Sequence, residues 1–228
     1  MAHSGIGRVA VADAGFVHIH VHSSFSLLEG ALPIARLAEL TKADRQPALA
    51  LTDSGNLFGA LEFSEKMAAA GIQPIVGCAL AVDFADEPQG KNGGSHRPQR
   101  PQRIVLIAAN EAGYRNLMAL VSRSFLEVAE SEAPHVRLDW LAERNEGLLA
   151  LSGGPEGPID GVIAAGRPEL ALARLDRLAS IYANRLYVEL QRHGLESERL
   201  AEPVLIDLAF GKGLPLVAAN EPYFAARD

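Results

Sequence analysis

Three histidines alternate with apolar residues near the start of the chain, at His18, His20 and His22. Alternation with a period of two is typical of an extended strand, so the three imidazoles are expected on one face of it. Neutral imidazole is a common ligand of zinc, manganese and similar ions, and two imidazoles on one face can bind the same ion. The segment therefore predicts a metal site at the end of a first strand.

Further polar residues follow apolar segments elsewhere in the chain. If those segments are parallel strands of a barrel, their carboxyl ends meet on one side, where the chemistry of such folds is concentrated. The residues expected at these ends, apart from the histidines, are Asp53 and Ser54, Cys78 and Ala79, Ser152 to Gly154, Glu189 to His193, and Asn220 and Glu221.

The elements that must position these residues follow from hydrophobic periodicity. Strands are predicted at residues 16–22, 47–52, 74–82, 103–109, 148–152, 185–190 and 215–219. Helices are predicted from Pro33, over 56–71 and 113–129, in two segments separated near 166–168, and over 196–211. Strands that alternate with helices imply a parallel sheet, and seven such units imply an α/β fold with a closed or nearly closed barrel. Residues 86–101, rich in Pro, Gly and Arg, are predicted to be a loop insertion.

Composition limits the class of protein. With 228 residues and 48% hydrophobic content, the chain is expected to form a single domain over residues 1–228. A net charge of −7 argues against a surface that binds nucleic acid by itself. Cys78 is the only cysteine, which excludes an internal disulfide and suits a reducing compartment. With neither a membrane span nor a signal peptide in the sequence, we expect a cytoplasmic location.

Six blocks of sequence carry a family resemblance. They are His20 to Ser23, Leu51 to Leu57, Pro74 to Gly77, Gly113 to Leu117, Gly147 to Gly153 and Val217 to Asn220. In this order they resemble the polymerase-and-histidinol-phosphatase (PHP) domain at the N-terminus of bacterial DNA polymerase III alpha subunits, over nearly the whole chain. The resemblance implies a distorted, TIM-like seven-stranded (β/α) barrel of the PHP superfamily. In metal-bearing relatives this barrel holds a trinuclear site for phosphoester hydrolysis.

The resemblance assigns four possible metal ligands. His20 and His22 match the paired histidines of the first motif, whereas Glu29 and Glu221 stand where relatives carry aspartates. These four could surround one remaining zinc, manganese or magnesium ion. The alternative, which the sequence favours, is a polar patch without an ion, because metal sites need several well-aimed ligands and an outer shell.

Other positions depart from the metal-bearing pattern. Relatives have side-chain ligands where this chain has Ser54, Ala79, Arg103, Gly154 and Tyr223. A guanidinium is permanently charged and has no lone pair for a metal, so Arg103 would repel a second cation. We therefore expect no trinuclear centre and no catalytic residues in this segment. These five residues are expected to line a former site, together with Asp53, Glu189 and His193.

Some of these residues have a second interpretation. Asp53 could instead cap a helix. Glu189 and His193 could form an acid–base pair, although pairing of Glu189 with Arg103 or another basic group is favoured for a buried charge. His18 has no ligand role in the resemblance and is expected to pack at the strand end.

The functional expectation follows from the resemblance. It implies the N-terminal PHP domain of a much longer DNA-directed DNA polymerase alpha subunit, whose polymerisation site and magnesium belong to another domain. The expected partners are the remaining domains of that subunit, the proofreading exonuclease (epsilon) subunit, and DNA through the full-length enzyme, but no membrane. The alternatives are an active metal-dependent phosphoesterase or 3′–5′ proofreading exonuclease, and a free-standing enzyme similar to histidinol phosphatase.

Overall fold

The computed structural model describes residues 15–86 and 102–226. Its strands are Ala48–Leu51 (β1), Gln73–Asp83 (β2), Arg103–Ala108 (β3), Val136–Arg137 (β4), Leu148–Leu151 (β5), Leu186–Leu190 (β6) and Leu216–Ala218 (β7). Its helices are Ile34–Ala43 (α1), Ala60–Ala69 (α2), Glu111–Leu126 (α3), Leu138–Glu143 (α4), Asp160–Ala164 (α5), Pro168–Ile181 (α6) and Glu196–Lys212 (α7). Within these ranges no helix combines the length and the apolar composition that crossing a membrane would need. The predicted loop insertion lies outside the described residues except for Asp86.

The strands form one curled sheet, which confirms the α/β class. The order is β1-β2-β3-β5-β6-β7, and the short β4 pairs with β2 beside this path. The pairs β1–β2, β5–β6 and β6–β7 are parallel, as predicted. β3 is antiparallel to both β2 and β5, so the prediction of a parallel sheet is wrong at this strand. A parallel neighbour needs a crossover, usually a helix, and the sequence between β2 and β3 has no helical pattern of apolar residues.

The predicted first strand, residues 16–22, forms no regular strand. The described residues still contain seven strands, because the two-residue β4 was not predicted. The backbone of this segment nevertheless forms hydrogen bonds to other backbone segments on both sides. The amides of Ala50 and Thr52 donate to the carbonyls of His18 and Val21, each at 2.9 Å, and the His22 amide donates to the Pro222 carbonyl at 3.1 Å. The histidine segment therefore lies between β1 and the chain that follows β7.

A bend at His20 interrupts the predicted alternation of this segment. His18 lines a separate cavity together with Val21, Leu37 and Asp44, and its Nδ1 atom is buried without a hydrogen-bond partner among residues 15–86 and 102–226. Burial lowers the pKa of His18, so the neutral ring is favoured in this apolar setting. The prediction that all three histidines share one face is therefore wrong for His18.

The described residues form three clusters of buried apolar side chains, two of which lie on opposite faces of β3. Along β3 the side chains of Val105 and Ile107 contact those of Ala79 and Leu151 in a small cluster on the concave side. The alternate residues Ile104 and Leu106 belong to a larger cluster, which also contains residues of the covering helices: Leu117, Leu120, Trp140, Leu141, Leu175, Leu178 and Leu205. This alternation is the expected consequence of a strand that is buried on both faces.

The packing of α3 against the turn before β5 leads to a first prediction. A β-carbon at Gly113 would lie 1.9 Å from the carbonyl oxygen of Gly147, so the two backbones are in direct contact. We expect Gly113→Ala to lower the free energy of unfolding by about 3 kcal/mol, because neither backbone can move away cheaply. Urea denaturation measures this change.

Gly211→Ala in α7 is the matched control. A β-carbon at Gly211 meets no atom within 4 Å, so the substitution is expected to be neutral or to stabilise the helix by up to about 1 kcal/mol. Equal stabilities of the Gly113→Ala variant and the wild type would contradict the close approach of α3 to Gly147.

Candidate metal centre

Three potential ligand atoms converge at one end of the curled sheet. The Nε2 atoms of His20 and His22 are 3.3 Å apart, and Glu221 Oε1 is 3.5 Å from the first and 3.4 Å from the second. A tetrahedral ion with bonds of about 2.0–2.1 Å holds its ligand atoms about 3.3–3.4 Å apart. The triangle of ligand atoms therefore has the dimensions of a site for a single ion.

Each histidine is held by a second partner on its other ring nitrogen. His20 Nδ1 lies 2.8 Å from Glu189 Oε1, and His22 Nδ1 lies 2.9 Å from Ser26 Oγ. An ionised carboxylate only accepts hydrogen bonds, so His20 donates to Glu189 through Nδ1. Such an outer shell is typical of histidines that bind metals, because it orients the ring and leaves the Nε2 lone pair for the ion.

The three groups also perturb one another electrostatically. Burial lowers the pKa of His20, but the Glu189 and Glu221 carboxylates more than offset this effect and raise the pKa overall. For His22, burial dominates and lowers the pKa. Burial would raise the pKa of Glu221, yet the adjacent His22 ring and the charge of His20 lower it to about 2. Glu221 is therefore an ionised carboxylate between two imidazoles, a charge distribution that suits a cation.

Tyr223 supports the two ligands beside it. Its ring stacks on His22, with centroids 4.2 Å apart and an interplanar angle of 7°. Its hydroxyl donates to Glu221 Oε1 at 2.7 Å. Burial and the neighbouring Glu221 raise the pKa of Tyr223, so the hydroxyl keeps its proton. Tyr223 thus orients the ligands and does not add another one.

Glu29 lies outside the triangle of ligand atoms, although the family resemblance assigned it as a possible ligand. Its two carboxylate oxygens accept hydrogen bonds from Arg103 at 3.2 and 2.9 Å, and Ser54 Oγ donates to it at 2.5 Å. Burial opposes ionisation, but the hydrogen bonds from Ser54 and Arg103 prevail and lower the pKa of Glu29. Arg103 starts β3, and it reaches this end of the sheet because β3 runs antiparallel to its neighbours.

Gln191 is a site residue that the sequence analysis did not single out. Its side-chain amide donates to Glu189 Oε1 at 2.7 Å and to Glu221 Oε2 at 3.2 Å. It also fills the space beside Gly154, where a β-carbon would lie 2.3 Å from Gln191 Nε2. A signal was present in the sequence, since Gln191 follows Glu189 by two residues at the end of a strand and so shares its side of the sheet.

Asp53 and Glu189, which were also predicted to line the site, form hydrogen bonds to residues of the centre and its surroundings. Asp53 accepts hydrogen bonds from Ser23 and Ser26 and caps no helix, because Gly59 is the N-cap of α2. Glu189 is paired with His20, a basic group as favoured, although that group is not Arg103.

His193 and Ala79 also lie apart from the three ligand atoms. His193 contacts Glu198 Oε1 and the Asn220 carbonyl, each at 2.8 Å, and is not paired with Glu189. Ala79 is packed among apolar residues on the concave side of the sheet. Neither residue contributes to the triangle.

These contacts fit one ion and do not fit three. Three or more His, Cys, Asp or Glu side chains have ligand atoms within 4.8 Å of one another at one place in the described part of the chain, formed by His20, His22 and Glu221. Glu29 is neutralised by Arg103, and the Gln191 amide links the carboxylates of Glu189 and Glu221. A permanent cation and an amide donor thus occupy the surroundings in which further ions would need ligands.

The centre opens onto a cavity of about 550 Å³. Its polar wall is formed by Glu29, Arg103, Gln191, His193 and Glu221, and its rim carries the apolar side chains of Leu28, Leu195 and Phe224. Leu28 is fully exposed and has a φ of +66°, a conformation that is rare for leucine. The Glu221 side chain is 14% exposed, whereas both histidines are buried, so the centre is reached from solvent on the side of Glu221.

Solved structures with a similar fold include enzymes of hydrolytic classes. A proposed metal-dependent phosphoesterase from Bifidobacterium adolescentis superimposes with a TM-score of 0.60 over 92% of this chain and 88% of that one, at 10% sequence identity. An amidohydrolase from Chromobacterium violaceum has a TM-score of 0.54 over 91% and 87% of the two chains, at 16% identity. At these identities the likeness concerns the fold alone.

Sequence relatives are considerably closer. The DNA polymerase III subunit alpha of Caulobacter vibrioides is 45% identical over 212 residues, which cover 92% of this chain and 18% of the relative. The subunit of the same name from Treponema pallidum is 38% identical over 219 residues, which cover 96% of this chain and 18% of the relative. The chain therefore spans less than a fifth of the length of these relatives.

The PHP domain family matches residues 18–193, which include both histidines of the centre, the Arg103–Glu29 pair and Gln191. This match extends over more than half of the chain. The chain belongs to the PHP domain family.

Proposed function

We propose that the chain is the N-terminal PHP domain of a replicative DNA polymerase alpha subunit. The supporting observation is that relatives named DNA polymerase III subunit alpha align over nearly all of this chain, whereas the chain covers only 18% of their length. The whole protein would then be a DNA-directed DNA polymerase. The polymerisation site and its magnesium would belong to the rest of that subunit.

We further propose that the centre binds one divalent ion through His20, His22 and Glu221, with Glu29 held outside by Arg103. Two imidazole nitrogens and one carboxylate oxygen suit zinc or manganese better than magnesium, which prefers oxygen ligands. Such an ion would supply positive charge to its surroundings and lower the pKa of a bound water. The dimensions of the ligand triangle support this proposal over the empty polar patch that the sequence favoured.

The role that we propose for this domain is structural, with a surface for docking other proteins. Ser54, Ala79, Arg103, Gly154 and Tyr223 leave the centre without the ligands of a trinuclear hydrolase, so we expect no phosphoesterase or 3′–5′ exonuclease activity. The net charge of −7 suits a protein partner better than DNA. We propose as partners the other domains of the subunit and its proofreading exonuclease (epsilon) subunit, in the cytoplasm, with DNA reached only through the full-length enzyme.

The test uses the full-length subunit that carries this chain. We expect it to extend a primed DNA template and to co-purify with the exonuclease subunit, while hydrolysis of a model phosphodiester and of single-stranded 3′ ends, with manganese or zinc added, stays at background. Failure to extend the primer would contradict the polymerase assignment. Hydrolysis that disappears in a His20→Ala/His22→Ala variant would replace the structural role with an active phosphoesterase or exonuclease.

A further inference from the structure

A buried serine connects the candidate metal centre to a carboxylate that does not itself reach it. Ser26 Oγ lies 2.7 Å from Asp53 Oδ1, 2.9 Å from His22 Nδ1 and 3.1 Å from the Ser54 amide nitrogen. The side chains of Ser26 and His22 are completely buried, and Asp53 is nearly so. The directions of these hydrogen bonds are therefore set by the four protein groups themselves.

Only one arrangement of protons satisfies all of these contacts. Asp53 already accepts from the amide and the hydroxyl of Ser23, and its carboxylate has no proton to donate, so the Ser26 hydroxyl donates to Asp53. The Ser54 amide can only donate, so it also uses a lone pair of Ser26 Oγ. A hydroxyl has a single proton, and Ser26 therefore offers His22 only an acceptor. His22 Nδ1 must carry the proton of this hydrogen bond.

The proton on Nδ1 determines what the opposite nitrogen can do. In the neutral ring a protonated Nδ1 leaves a lone pair on Nε2, the atom that faces His20 and Glu221. We propose that Ser26 is a positioning residue which, backed by Asp53, fixes His22 in the tautomer that presents Nε2 as a ligand. His20 is held in the same way by Glu189 directly, whereas His22 depends on Ser26 as an intermediate.

This inference rests on the proposed function only in naming a metal ion as the ligand that benefits. The tautomer is a property of the metal-free protein. It can be read from the nitrogen chemical shifts of His22 in ¹⁵N-labelled protein, which distinguish protonated from unprotonated ring nitrogens. We expect wild-type His22 to be protonated on Nδ1 and unprotonated on Nε2 in the absence of any ion.

Ser26→Ala removes the nearer acceptor of the His22 Nδ1 proton, leaving Ser54 Oγ at 3.4 Å, while keeping the backbone of the turn. In this variant we expect a larger fraction of the Nε2-protonated tautomer and a roughly tenfold weaker affinity for zinc, as is typical when an outer-shell partner of a ligand is lost. Ser64→Ala is the matched control, because within the described residues the Ser64 hydroxyl on α2 bonds only to the Ala60 carbonyl of its own helix. Neither the tautomer nor the zinc affinity should change in the control.

The outcomes separate this inference from the proposed function. If wild type binds no zinc but His22 carries its proton on Nδ1 and loses this preference in Ser26→Ala, the metal proposal fails and the positioning role stands. Wild-type His22 protonated on Nε2, or a Ser26→Ala variant with unchanged tautomer and unchanged zinc affinity, would overturn the positioning role. If Ser26→Ala does not fold, as circular dichroism would reveal, the wild-type spectrum alone decides between the two tautomers.

Discussion

Zinc binding is expected to disappear when His20 and His22 are both replaced by alanine. The wild-type chain should retain about one zinc ion after dialysis, and the variant none, because two of the three convergent ligand atoms are removed. The affinity should fall by more than the roughly 10- to 100-fold that loss of an outer-shell partner costs. Elemental analysis gives the stoichiometry, and titration calorimetry gives the affinity.

His135→Ala is the control for this experiment. His135 is half-buried and lies away from the centre in the sequence, and its ring contacts only the carbonyl of Ala133 among the contacts that the structure describes for it. We expect this variant to bind zinc like the wild type. Unchanged zinc in the double variant would place the ion elsewhere in the chain, and a wild-type protein without zinc would leave the centre as the polar patch that the sequence favoured.

The largest expected loss of stability comes from Arg174→Ala. Arg174 lies almost completely buried on α6, where its guanidinium donates to Asp86 at 3.0 and 2.7 Å, to Gln102 at 2.7 Å and to the Pro158 carbonyl at 3.1 Å. Removing Arg174 leaves the mostly buried Asp86 carboxylate with the longer contact to Arg177, at 3.7 Å, in place of two short hydrogen bonds. We expect the free energy of unfolding to fall by about 3–5 kcal/mol, measured by denaturant unfolding at neutral pH.

Acid should reduce the difference in the free energy of unfolding between Arg174→Ala and the wild type. The hydrogen bonds from Arg174 hold the pKa of Asp86 below its ordinary value. A carboxyl group whose pKa is lowered by folding stabilises the protein above its ordinary pKa and loses this contribution as the pH falls through the lowered value. The effect of Arg174→Ala should therefore shrink below about pH 4.

Arg177→Ala provides the comparison on the same helix. The Arg177 side chain is 45% exposed, and its bonds to the Phe84 carbonyl and to Asp86 are near the surface. Its loss should cost less than about 1 kcal/mol, as is usual for exposed ion pairs. Similar losses in the two variants would mean that burial of Arg174 does not govern its contribution.

Much of the fold could be predicted from local patterns. The helix predicted from Pro33 is present as α1, with Ile34, Leu37 and Thr41 buried as its period required. The strand predicted at residues 185–190 agrees with β6 to within one residue. Such elements depend on hydrophobic periodicity and on turn residues, which are properties of neighbouring positions and can be read without the rest of the molecule.

The candidate site was predictable only in part. His20, His22 and Glu221 were proposed together, and their ligand atoms do converge in the structure. Ser26 was missed, and Gln191 was included only as part of the strand end at residues 189–193, because serine and glutamine carry no metal-binding signal of their own. Their importance comes from the atoms they contact, such as the Gln191 amide between Glu189 and Glu221.

The sequence by itself determined the chemistry available at the carboxyl ends of the strands, the class of fold and the family resemblance. Only the tertiary structure decided which partner each group finds. His20 pairs with Glu189 across 169 residues of sequence, and the antiparallel β3 brings Arg103 to Glu29 across 74. Strand direction and pairing depend on contacts between distant segments, and no local periodicity contains them. That is why the histidines were evident in the sequence, whereas the surroundings that favour a single ion became visible only in the fold.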